Sequence, residues 1–490
     1  MVISAELKEF TEYKPSNLKN KTDLKWSTIK LSEVLERNLR FEASVYGVEG
    51  KHAREVLKYC KFSKKPLWGE DGFIKECFYP GRFKRIYVGK QGEDFYLPSQ
   101  LNEIYPKPQK FISKETKTDI EKLKLKKNSI LLTRSGTIGN LTFVSDTLKG
   151  KIFSDDVIRI RTKDEPDTGF IYAYLKTNTG QNLIKTNNYG AVVSHIEPEH
   201  LREIEVPNPT IEIRKQISKV IVKSFELRDE SNELINKSEK LLIKELKLPP
   251  IEELKPKYYD KNSTVKNYSV KLSSLNNRFD GSYHEPIINS IFNILKESSK
   301  EIKKLGDKKI LKDIVLPGRF KRVYVDEGQG TKFLGGKDIF SLDPKTEKYL
   351  SIKTHKTKID SELKIFENSI ITPSRGTIGS VVLAPKHFEG WTISDNLIKI
   401  QLKENQGFIF SYLNSEYGKI IIKKYIYGGV VDAIETDHFK EIPIPILKNE
   451  KVQKEINDLV LKANKLRYEA YLLEKAGINM VNKLVLENSE

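Results

Sequence analysis

The sequence predicts an α+β protein built twice: two pseudo-twofold-related α+β lobes joined by two long antiparallel coiled-coil helices. Three observations predict it. The chain repeats itself once, short strand-like runs between turn residues fill each copy, and each copy ends in a stretch of sustained heptad spacing.

The repeat is the strongest of the three. PGRFKRIYV from Pro80 returns as PGRFKRVYV from Pro317, and SGTIG from Ser135 returns as RGTIG from Arg375. FSDDVIRIR from Phe153 answers to ISDNLIKIQ from Ile393, and GFIYAYL from Gly169 to GFIFSYL from Gly407. YGAVVSHIEPEHLREIEVP from Tyr189 matches YGGVVDAIETDHFKEIPIP from Tyr427, and NLRFEAS from Asn38 matches NNRFDGS from Asn276. The offsets run from 237 to 240 residues in constant order, so one large unit has been duplicated.

Within the first copy, Ser129–Thr133, Leu141–Val144 and Asp156–Arg161 read as strands, bounded by Gly, Asp, Asn and Pro turn signals. The residues after Gly169 and Gly407 fit either a short helix or a strand–helix junction. Pro207 and Pro209 then stop the lobe, Thr210 is positioned to cap a helix and Glu212 lies in its first turn. From there Ile213, Ile217, Val220, Ser224, Leu227, Ser231, Leu234, Ser238 and Leu241 alternate at spacings of four and three. In the second copy, Pro443 and Pro445 precede Asn449, and the alternation runs Val452, Ile456, Leu459, Ala463, Leu466, Ala470, Leu473, Gly477, Met480, Leu484. Such spacing is a coiled-coil seam. Large residues hold one heptad position, while Ser224, Ser231 and Ser238, or Ala463, Ala470 and Gly477, hold the other. An antiparallel pair with small residues facing small ones matches Ser224 to Gly477, Ser231 to Ala470 and Ser238 to Ala463. The expected units are residues 1–209 (first lobe), 210–248 (central helix), 249–448 (second lobe) and 449–490 (C-terminal helix).

Composition narrows the function. A net charge of +18 suits a polyanionic partner. Two cysteines, Cys60 and Cys77, leave no room for a disulfide framework or a four-thiolate zinc site. No apolar run approaches the roughly 20 residues that span a bilayer, and the N-terminal residues lack a signal-peptide core. A reducing cytoplasm is the expected compartment.

Taken in order, the RF(D/E) segment, the (S/R)GTIG turn, the S-D-(D/N) strand, the GxVV segment and the Pro-bounded heptad helix resemble type I restriction–modification specificity subunits, here twice over. The resemblance implies two target-recognition domains, each reading half of a split site in double-stranded DNA, with the two helices setting the gap. It implies docking of two adenine methyltransferase (modification) subunits that bind S-adenosylmethionine, with no cofactor in this chain. A translocating restriction subunit can join. The chain is then a non-catalytic binding module. The alternatives are a self-contained DNA-cleaving enzyme with duplicated lobes and an orphan DNA-binding defence protein.

What both copies share should be scaffold, phosphate contact and docking; what differs should be base readout. Arg82, Lys84 and Arg85, with Arg319, Lys321 and Arg322, cluster cations around an aromatic ring, as phosphate contact requires. Arg134, Ser135 and Thr137, with Ser374, Arg375 and Thr377, flank the two glycine turns, where arginine could bond guanine. The arginine precedes the serine in one copy and follows it in the other, a shift that turns it to the opposite face of a strand. The diverged stretches Gly89–Asn128 and Asp326–Asn368 are the expected base readers. They hold Lys90, Gln91, Gln100 and Asn102, and Gln329, Lys332, Lys337 and Asp338. His195 and His200 have metal-ligand spacing, yet the second copy keeps only His438, so a structural role is expected. Gly330–Lys337 misses the phosphate-loop pattern by one glycine position, with Asp338 where a hydroxyl belongs.

Overall fold

The computed structural model describes residues 28–36, 39–41, 43–187, 194–254, 268–275 and 277–487. Asn38, Glu42, Tyr189–Val193 and Asn276, which carry parts of two repeated motifs, lie outside the described residues.

Each lobe is centred on a four-stranded antiparallel sheet. In the first, Ile74–Phe78, Val157–Thr162, Ile130–Thr133 and Leu141–Phe143 lie side by side in that order. The second repeats it with Leu311–Val315, Leu397–Leu402, Ile370–Pro373 and Val382–Leu383. Ile130–Thr133 and Ile370–Pro373 are buried throughout, as central strands rich in β-branched residues should be. A smaller sheet forms an arm on each lobe. Glu93–Tyr96 pairs antiparallel with Lys110–Ile112 and parallel with Ile152–Phe153. Gly330–Leu334 does the same with Tyr349–Ser351 and Thr392–Ile393.

The segments after Gly169 and Gly407 resolve as helices, Glu165–Lys176 and Gln406–Asn414. Each crosses a long helix at its glycine, where nothing larger fits. A Cβ on Gly169 would lie 2.6 Å from Ser218 Cα, and one on Gly407 would lie 2.3 Å from Asn457 O.

The long helices are Ile211–Glu245 and Glu450–Val481. At about 1.5 Å per residue each is roughly 50 Å long. Asn449 caps the second, accepting from the Val452 N–H, whereas Thr210 occupies the cap position without a side-chain cap bond to a backbone N–H of the helix. They run antiparallel. The first carries Ile235 and Leu242 into the second lobe's core, and the second carries Val481, and the helical turn after it Leu486, back into the first lobe's core. Lys237 pairs with Glu455 and Lys462 with Glu230 along their flanks.

Ser224, Ser231, Ser238, Ala463 and Ala470 are all fully buried, so the small-residue layers face inward. The expected small-to-small register is corrected. Atoms of Ile221 and Val220, not Ser224, come nearest to Gly477, and Ala470 clusters with Leu227. Large side chains sit over small ones, which fills the space that small pairs would leave empty. Ile221 is buried outside the predicted seam because it packs over Gly477, and Ile235 and Val460 because the second lobe's core covers the helices on a further side.

The lobes also meet. Ile104 from the first arm and Leu342 from the second join Leu227, Leu466 and Ala470 in one apolar cluster midway along the helices. Ile104 N–H donates to Phe340 O at 2.7 Å, and Glu103 and Ser341 form an antiparallel bridge. Glu103 and Ser341 occupy matching positions of the two copies, so the pseudo-twofold axis passes between them.

Candidate nucleic-acid interface

On each lobe the repeated motifs converge on one edge. The PGRFKR loop follows the first strand of the large sheet, and its aromatic ring docks edge-on against the arm: Phe83 on Phe95 and Phe320 on Phe333. The S-D-(D/N) turn lies beneath the loop. Arg85 pairs there with Asp155 at 2.5 Å, and Arg322 pairs with Asp395. Burial works against the Arg85 charge, but the Asp155 bond outweighs it and raises the guanidinium's pKa. Each of these arginines also lies over two rings, Arg85 over Phe83 and Phe95 and Arg322 over Phe320 and Phe333. They orient the loop and are not freely extended cations. Asp155 and Asp395 were missed as site residues, although both stand in repeated motifs that signalled them.

The cations left outward are Arg82 and Lys84 in the first lobe and Lys321 in the second; Arg319 is 78% exposed, its nearest carboxylate, Asp395, 3.9 Å away, and Arg322 stays exposed while paired with Asp395. Beside them the second lobe adds the exposed Lys353 and Lys356 on the short helix Ile352–Lys358, whose His355 ring accepts from Val323 N–H. This helix lies in the diverged stretch Asp326–Asn368, where no repeated motif points to its lysines.

Next to this loop is the glycine turn. Gly136 and Gly139 have φ of 71° and 89°, and Gly376 and Gly379 have 79° and 95°, a backbone that glycine adopts without strain. Thr137 and Thr377 are exposed at its tip. The shifted arginine behaves as strand geometry requires. Arg375 is exposed, whereas Arg134 is 7% exposed, pairs with Glu197 and Asp156 and stacks 4.3 Å from the Tyr79 ring. Arg134, expected to reach a DNA groove, instead has its guanidinium turned inward, bracing the turn through Glu197 and Asp156. Ser374 is buried at the corresponding place. Ser135 is half-buried, its hydroxyl bonded to Asp156 at 2.7 Å and to His195 Nδ1 at 2.8 Å. His200 and His438 cap their own helical turns through Nδ1, on Glu197 N–H and Glu435 N–H. Among the described residues, no group of three or more His, Cys, Asp and Glu could hold a metal ion.

The diverged stretches divide. Gln100 is fully buried and donates to Lys107 O at 2.6 Å, Lys90 pairs with Glu416 of the second lobe, and Lys332 lies over Trp391. Gln100 thus packs within the arm, whereas Lys90 stays exposed while reaching across to the second lobe.

A family model described as "Type I restriction modification DNA specificity domain" matches residues 81–242 and again 321–465, together well over half of the chain. The chain belongs to this family, and its two specificity domains are the two lobes with their helices. Among solved structures, the chain is similar to the S subunit of a type I restriction–modification system from M. genitalium. The identity is 16%, the coverage 88% of this chain and 97% of that one, and the TM-score 0.35. It is also similar to an HsdS subunit from Thermoanaerobacter tengcongensis, with 13% identity, coverage of 84% and 98%, and a TM-score of 0.26. No curated protein sequence matches the chain. No helix among the described residues is long and apolar enough to cross a membrane.

Proposed function

We propose that the chain reads a bipartite sequence in double-stranded DNA, one half-site per lobe, and brings two adenine methyltransferase subunits to it. Those subunits carry S-adenosylmethionine, and a translocating restriction subunit is a further partner. The chain contributes recognition and no chemical step. The observation that carries this reading is the doubling of the specificity domain around a pseudo-twofold axis, each copy presenting its PGRFKR loop and glycine turn on the same edge. Arg82, Lys84, Arg319 and Lys321 are the proposed phosphate contacts, with Arg375, Thr137 and Thr377 beside the groove. Arg85, Arg322, Arg134, Ser135 and Ser374 support them from behind. One lobe reads only a few base pairs, and tethering two multiplies specificity through effective concentration. Pseudo-twofold symmetry calls for half-sites at a fixed separation. The outward faces of the long helices are the proposed docking surfaces.

The test is to reconstitute the chain with its methyltransferase subunits and map the methylated adenines. Two short half-sites separated by a constant unread gap are expected. A single contiguous site, or methylation unchanged when the chain is omitted, refutes the proposal.

A further inference from the structure

The contact between the arms at the helix midline stands apart from the two large cores, one in each lobe. It is built symmetrically. Ile104 and Leu342 are matching residues of the two copies, and so are Leu227 and Leu466 beneath them. Each arm then reaches past the midpoint. Tyr105 bonds Asn236 and Lys107 pairs with Glu239 on the first helix, while Asp343 pairs with Lys475 on the second. Lys345 of the second lobe donates to Gly139 O, the end of the first lobe's glycine turn, at 3.0 Å and to Gln181 at 2.9 Å. Lys90 of the first lobe pairs with Glu416 of the second at 2.6 Å.

A partly open cavity of about 40 Å³ lies beside the Ile104–Leu342 contact, bordered by Asn102, Asn232, Leu342 and Arg467. Asn232 Oδ1 and Arg467 Nε there have no hydrogen-bond partner. The same arms carry the cationic loops: Phe111 O accepts from Val88 N–H and Ile86 O from Ser113 N–H, so the loop moves with its arm.

We propose that this midline contact is a spacing lock. Ile104 and Leu342, with the Ile104–Phe340 hydrogen bond and the Lys345 tie, fix the distance and rotation between the two reading edges. Added to the spacing that the two long helices give, they thereby restrict the number of base pairs accepted between the half-sites. The inference rests on the two-half-site reading above. Adding one base pair to the gap moves a half-site by about 3.4 Å and turns it by about 35°. Arms locked to each other cannot follow that change; arms released from each other can.

The experiment uses the full chain and a bipartite duplex that the wild type selects from a random pool, rebuilt with gaps one base pair shorter and longer. The wild type should lose about tenfold or more in affinity at either altered gap, comparable to a mismatched base pair. Ile104→Ala with Leu342→Ala should keep the native-gap affinity within about threefold while the preference for that gap falls to about threefold or less. Lys345→Met, which leaves every buried side chain in place, should shift the preference the same way by a smaller factor. It decides the matter if the double variant does not fold. Undiminished gap preference in the folded variants overturns the lock, as does an equal loss of affinity at all gaps. A wild type indifferent to the gap overturns the lock as well, whereas a wild type that selects no bipartite site refutes the two-half-site reading instead.

Discussion

Glu474 holds the C-terminal helix to the first lobe, and removing its charge should be costly. Its buried carboxylate accepts from the Tyr172 hydroxyl at 2.5 Å, pairs with Lys176 at 3.3 Å and pairs with Arg228. Burial pushes the carboxyl up, but the Lys176 and Arg228 charges outweigh it and hold it well below the usual carboxylate range. At the 3.3 Å separation from Lys176, an effective dielectric of about 20 gives roughly 5 kcal/mol of attraction before desolvation is subtracted. Desolvation cancels much of that gain, so the larger effect is what truncation leaves behind. Glu474→Ala strands Lys176 and Arg228 without a counter-charge, and breaking a buried pair from one side costs about 3–5 kcal/mol. Urea unfolding followed by circular dichroism should show that loss at neutral pH. Adding Lys176→Met and Arg228→Met to Glu474→Ala should restore most of it. The sign with pH follows from the depressed folded pKa. The stabilisation is complete above the unfolded glutamate value of about 4.3 and disappears as pH falls through the lower folded value. Wild type and Glu474→Ala should therefore converge in strong acid. A wild-type unfolding midpoint for Glu474→Ala, or a triple variant weaker than the single one, would refute the reasoning.

Three further outcomes are expected. Gly169→Ala, Gly407→Ala and Ala470→Leu each crowd a helix crossing and should cost about 1–3 kcal/mol in thermal unfolding; unchanged melting would mean the helices separate freely. Arg82→Ala and Lys84→Ala should each flatten the log–log salt dependence of DNA binding by about 0.9, whereas Arg85→Ala should lower stability by freeing Asp155; equal slopes in all three would place the phosphate contacts elsewhere. Burial lowers the His387 pKa to about 4, so the unfolded chain binds the extra proton first. Stability should fall as pH drops from about 6.5 toward 4, by at most about 1.4 kcal/mol per unit. His387→Gln should flatten that slope, and an unchanged slope would assign it to other groups.

The duplication, the α+β class, the strands of the large sheet and the two long helices were all legible in the sequence, because periodicity and turn chemistry are local properties of the chain. The face reversal of the displaced arginine was legible too, since side chains alternate along a strand. Tertiary structure alone decided which cations remain outward. Arg85 and Arg322 look equivalent to their neighbours until Asp155 and Asp395, some 70 residues away in sequence, are brought beneath them. It also decided the helix register, because Ile221 fills the space over Gly477 and heptad spacing does not encode which layer faces which. The meeting of Ile104 and Leu342 was invisible for the same reason. Both lie in stretches where the copies diverge, and a contact made by folding two arms onto one axis leaves no local pattern in either arm.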